Sequence, residues 1–126
     1  MDLKEFTKQI KEDIPVGTVF ENPGGGTSEI VSYSDNSISY VRGSSAIYVS
    51  FRDLFDAYEN YRGKRVTSSD LKSYAPAVFD ATAKKSGHSC NCTLFFLILK
   101  RLNLADEIKG RGVKGDPYFV EIDEGT

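Results

Sequence analysis

The chain has no tryptophan, a single histidine, two cysteines and four prolines among its 126 residues. Each scarcity narrows what the protein can do. With only His88 available, a nucleophile that needs a histidine base presented from elsewhere in the fold finds none, because the one histidine is a near neighbour of both thiols. Cys90 and Cys92 stand one residue apart, and a Cys-x-Cys bridge is strained, so no oxidising compartment is implied and both thiols are expected to be reduced. No apolar run approaches the roughly 18 residues that a membrane span needs. The N-terminal stretch MDLKEFTKQIKEDI is charged and amphipathic, where a secretory leader is basic and then apolar. These features read as a cytoplasmic protein. Internal repeats, low-complexity segments and linkers are also lacking, which leaves residues 1–126 as one expected domain.

What is present is globular in kind. Hydrophobic residues make up 40% of the chain, and 8 Phe with 7 Tyr supply the bulk that Trp would otherwise give. Charge is divided unevenly. Residues 1–61 carry 5 Lys/Arg against 10 Asp/Glu, residues 62–119 carry 11 against 5, and residues 120–126 carry none against 3. A net charge of −2 therefore leaves room for an anionic partner, since what such a partner meets is the local field of one face.

Periodicity divides the chain into a first part, 1–50, a second, 51–122, and a short tail, 123–126, expected to fray. Leu3, Phe6 and Ile10 recur at helical spacing over 2–13, ahead of Pro15. From Gly17 the period becomes that of strands, through TVFE, SEIVSYS, SISYVRG and AIYVS, with turns at Ser34–Ser37 and Gly43–Ser45. This predicts a small antiparallel meander with Ile38, Tyr40, Ile47 and Val49 facing inward. Ser50 and Asp53 start a helix over 51–61 with an apolar stripe, and Thr67 and Asp70 start a short one over 68–74 that must stop before Pro76. The most apolar run, Leu94 to Leu99, lies in a helix expected from Asn91 or Cys92 to Leu104. Two short strands, near Glu107–Lys109 and Tyr118–Ile122, are expected beyond it, joined by a glycine-rich tip as a hairpin.

Three stretches carry candidate chemistry. His88, Cys90 and Cys92 are three metal-ligating side chains within five residues, but zinc takes four ligands and closed sites use Cys-x₂₋₄-Cys spacing, so completion would fall to Asp80 or a partner chain. The bland reading, small apolar thiols beside a helix start, is the commoner one for free cysteine. The loop PGGGT at 23–27 can turn a row of amides toward an anion, yet no Lys-Ser/Thr follows and no helix begins there, which leaves a plain hairpin loop as the alternative. No cofactor is expected.

The third stretch is basic. From residue 51 the order is helix, short helix, loop, long helix and hairpin, with KRVTSSDL opening the second helix, TLFFLILKRLNLA forming the third and EIKGRGVKGDPYFVEI the hairpin. This order resembles the winged-helix type of DNA-binding domain. The resemblance implies a third helix approaching the major groove and a wing touching backbone or minor groove, where Arg111 would sit. Local charge adds the other candidates for nucleic-acid contact: Arg62, Lys64, Arg65, Lys84, Lys85, Lys100, Lys109 and Lys114, with Asn91 and Thr93 at the start of the long helix offering amides to a phosphate. The expected fold is α+β: an N-terminal helix and antiparallel β-meander, then a three-helix, winged-helix-like part with a C-terminal β-hairpin. The expected function is non-enzymatic binding of nucleic acid, duplex DNA first, with regulation as the role such a module would serve. A protein-interaction or inhibitor domain is the alternative, and a small-molecule or nucleotide binder using residues 23–27 the third reading.

Overall fold

A computed structural model describes residues 1–82 and 87–125. Helix α1, Leu3–Asp13, is capped by the Asp2 carboxylate, which accepts from the Glu5 N–H at 2.8 Å, and it turns Phe6 and Ile10 into the core. Strands β1 (Val19–Glu21), β2 (Thr27–Tyr33), β3 (Ser37–Arg42) and β4 (Ser45–Ser50) form an antiparallel sheet in that order. Ile30 pairs with Tyr40 and Tyr40 with Ile47, while Ile38 pairs with both Tyr33 and Val49. Tyr40, Ile38, Ile47 and Val49 are buried and Tyr48 is 69% exposed. The period-two expectation for the inner face therefore holds.

Helix α2, Phe51–Tyr61, starts where the Ser50 hydroxyl accepts from the Asp53 N–H at 3.0 Å, and it buries Phe51, Leu54, Ala57 and Tyr58. Helix α3, Ser68–Tyr74, has a reciprocal capping box between Thr67 and Asp70, both bonds at 2.9 Å. Between α2 and α3, KRVTSSDL does not open as helix. Its residues Arg65–Thr67 form a short strand, β5. A single helical turn that the sequence did not suggest, α4 (Pro76–Phe79), follows α3 and buries Phe79.

The long helix, α5, spans Cys90–Arg101 and is buried on nearly every side, from Asn91 through Phe96 and again at Ile98 and Leu99. It ends three residues short of the expected Leu104. Asn103 adopts φ 60°, so the Leu104 N–H reaches back to Leu99 O at 2.9 Å and the Asn103 N–H to Lys100 O at 3.0 Å. That pair of bonds is the Schellman closure, which stops a helix once one residue turns left-handed.

The C-terminal segment differs from the expected hairpin. Strand β6, Phe119–Glu121, pairs along its length with β5. The outgoing arm touches it only through isolated bridges, Lys109 with Phe119 and Ala105 with Ile122. Gly110, Gly112 and Gly115 all take positive φ and Pro117 has no N–H, so the segment between them folds as an irregular loop in place of a ladder. Asp123 is tied by its N–H to Leu104 O at 2.8 Å. One buried cluster draws on α1, the inner face of the sheet, α2, α5 and β6, giving an α+β domain organised around α5.

Candidate anion-binding cleft

The site grows from the way β3 docks on the first turn of α5. On an extended strand, alternate residues face one side, so Ile38, Tyr40 and Arg42 share the inner face of β3. Tyr40 donates its hydroxyl hydrogen to Asn91 Oδ1 at 2.8 Å, and two residues on, Arg42 Nη1 donates to Thr93 Oγ1 at 3.0 Å. Asn91 completes the seam by donating Nδ2 to Val78 O at 2.8 Å, and Thr93 by donating its hydroxyl to Cys90 O at 3.1 Å. Burial pushes the Tyr40 phenol well above its ordinary range, so it stays a donor. Arg42 is thus fixed by a neutral hydroxyl and keeps its full charge.

Beyond Arg42 opens a cleft of about 470 Å3. Its walls come from the end of β3, the first turns of α3 and α5, and the loop before β6. Arg42, Lys72 and Lys114 bring three cations to it, and no carboxylate lines it among the described residues. Ser68, Ser69 and Ser89 supply hydroxyls, and Val113, Pro117 and Tyr118 an apolar side. Close packing shapes the loop: a Cβ built on Gly112 would lie 2.3 Å from the Tyr118 ring, and one on Gly24 would lie 2.8 Å from its hydroxyl. At Gly112, where φ is also positive, no side chain fits, and Tyr118 packs between the 23–27 loop and the loop that bears Lys114.

The basic residues expected to contact nucleic acid are not gathered on one face. Arg62 is 3.7 Å from Glu59, Arg65 is 3.4 Å from Glu121 and lies over the Phe119 ring, Lys109 is 3.4 Å from Asp106, and Arg111 Nε donates to Asp116 Oδ2 at 2.9 Å. Lys64 and Lys100 are exposed, and Lys100 stands toward the far end of α5 from the cleft, about 15 Å of helix from Cys90 and about 10 Å from Thr93. Lys84 and Lys85 lie outside the described residues. Asn91 is buried, its amide is occupied at both ends, and its backbone N–H donates to His88 O at 2.9 Å. Thr93 reaches the cleft wall, where its hydroxyl holds Arg42. Of the basic candidates among the described residues, Lys114 alone lines the cleft.

Cys90 and Cys92 both border the cleft, Cys90 half-buried and Cys92 buried with its Sγ 3.8 Å from Ser68 O and 3.7 Å from Phe79 O. Burial pushes the Cys92 thiol up to about 12, with Lys72 pulling weakly the other way. Among the described residues, no group of three His, Cys, Asp or Glu is placed to hold a metal ion. In the 23–27 loop, the Gly25 N–H donates to Asn22 O and Gly26 O accepts from the Asn22 N–H, both at 3.0 Å, so the chain curls on itself.

Arg42 and Lys72 are the two cleft cations that sequence reasoning missed. Arg42 lies in the acidic half of the chain, but a signal was present: it continues the inward-facing alternation of Ile38 and Tyr40, where an unpaired cation is unusual. Lys72 carries no such mark. No family model matches the chain, and no match is found among curated proteins or solved structures.

Proposed function

We propose that the protein is a small, non-enzymatic nucleic-acid-binding module that holds phosphates in the cleft lined by Arg42, Lys72 and Lys114. The observation that carries this reading is the meeting of three cations from three separate elements with no lining carboxylate among the described residues. Like charges gathered without counter-charge raise the local potential and favour an anion. The loop between Lys109 and Phe119, the stretch that the sequence likeness assigns to a wing, contributes Gly112, Val113, Lys114, Pro117 and Tyr118 to the lining of the same cleft. Burial of α5 on nearly every side directs contact to this loop and the cleft instead of to the face of the helix.

Fluorescence anisotropy with labelled oligonucleotides at about 50 mM salt tests the reading. Binding is expected to weaken steeply as salt rises, and to be lost when Arg42, Lys72 and Lys114 are all changed to Gln. A Lys64→Gln, Lys100→Gln double variant should bind as the parent does. No change in anisotropy at about 100 µM protein, where even non-specific binders respond, would overturn it.

A further inference from the structure

We infer that the cleft takes the terminal phosphate of a single strand, a nucleotide phosphomonoester, in preference to the internal phosphodiesters of a duplex. This rests on the nucleic-acid reading above and concerns which part of the polymer enters. The charge comes first. A phosphomonoester carries about one and a half to two negative charges near neutral pH, whereas each phosphodiester carries one. Three cations in one hollow, none balanced by a carboxylate of the lining, match the more highly charged group.

Shape points the same way. A duplex presents its phosphates on a convex surface, and protein elements that read it protrude into its grooves. The cleft is an open concavity bordered by β3, α3, α5 and the 112–118 loop, and its volume of about 470 Å3 is within the range of small-ligand sites. A strand end can enter such a hollow; the side of a duplex cannot. The lining is also two-sided. Arg42, Lys72 and Lys114 form the charged part, and Val113, Pro117 and Tyr118 the apolar part, as a nucleotide with a phosphate at one end and a base at the other requires. Arg42 is already oriented by Thr93, so little side-chain freedom is lost when it closes on a phosphate.

The same phosphomonoester could reach the cleft as a free mononucleotide, and the test separates the two sources. Single strands of about ten nucleotides, ending in phosphate at the 5′ end, at the 3′ end or at neither, are compared by anisotropy with a blunt duplex, and thymidine monophosphate is tested by thermal shift. The expected result is about tenfold tighter binding of a phosphate-ended strand than of the hydroxyl-ended one, with the preference falling to parity in Lys72→Gln and in Arg42→Gln. Lys72 is on the surface of α3, so its variant keeps the test valid if Arg42→Gln melts early. Equal affinity for phosphate and hydroxyl ends, or duplex binding as tight as strand binding, would overturn the inference while leaving the nucleic-acid reading intact. A thermal shift with the mononucleotide and no binding of any strand would overturn both in favour of a free nucleotide.

Discussion

The two ends of α5 carry similar numbers of cations and treat them differently. At the N-terminal end, Arg42 is bonded to a hydroxyl, and Lys72 and Lys114 have no ion-pair partner among the described residues. At the C-terminal end, Arg62 is paired with Glu59 and shares a hollow with Asp123 and Glu124, and Arg101 lies over the Phe20 ring at 5.0 Å. One end concentrates positive potential and the other disperses it. The excess of cations in residues 62–119 is therefore a property of the sequence that space redistributes, and the strongest cluster recruits Arg42 from the acidic half.

The largest effect that would break this comparison is structural. Asn91→Ala removes the amide bonds that tie α5 to β3 and to α4 and leaves the Tyr40 hydroxyl buried without its partner, while Val78 O keeps the His88 N–H at 3.0 Å. One buried unsatisfied group costs about 2 kcal/mol, so chemical denaturation should show a loss of that order, against less than about 0.5 kcal/mol for Lys100→Ala at the opposite end. A loss below about 1 kcal/mol for Asn91→Ala would mean that the seam does not hold the cleft in shape.

A second effect concerns pH. The folded state raises the Cys92 thiol from its ordinary 9.0 to about 12 by burial, and raises Tyr33 from 10.0 to about 12 for the same reason. Between those values the folded chain keeps protons that the unfolded chain releases, so stability is fully present below about pH 9 and falls as pH rises toward 12. Each group contributes about 1.4 kcal/mol per pH unit within its window. Urea midpoints should drop between about pH 9 and pH 10, and Cys92→Ala should flatten that slope whatever its own stability. An unchanged slope would show that the buried thiol is not the titrating group.

What the sequence disclosed and what it hid follow from the range of the interactions. Caps at Ser50 and Thr67 are contacts between residues three apart, and both were legible because their chemistry is local. The alternation of Ile38, Tyr40, Ile47 and Val49 disclosed the inner face of the sheet. Strand β5 was hidden because three residues carry no period and their partner is more than fifty positions away in β6. The early end of α5 turned on the left-handed conformation of Asn103, to which the continuing apolar pattern through Leu104 gives no clue. The cleft was least legible of all, since Arg42 meets Thr93 across 51 residues.

On binding, Arg42→Gln should lower affinity for a single strand about tenfold and reduce the salt slope by about one, with the melting temperature little changed because Thr93 keeps its bond to Cys90 O. Lys100→Gln should do neither. Equal losses from the two variants would erase the distinction between the ends.

The smallest effect is the most discriminating. The winged-helix likeness gives the leading contact to Arg111, whereas its guanidinium is already held by Asp116 at 2.9 Å and Lys114 is the one cation of the same loop that lines the cleft. An exposed ion pair is worth less than about 1 kcal/mol, so Arg111 is attenuated without being removed from play. Lys114→Ala should therefore weaken binding about threefold and Arg111→Ala less than that. Asp116→Asn frees the guanidinium and removes a negative charge beside the rim, so it should tighten binding by a similar factor. If Arg111→Ala is instead the more damaging change and Asp116→Asn has no effect, the contact lies along the wing and not in the cleft.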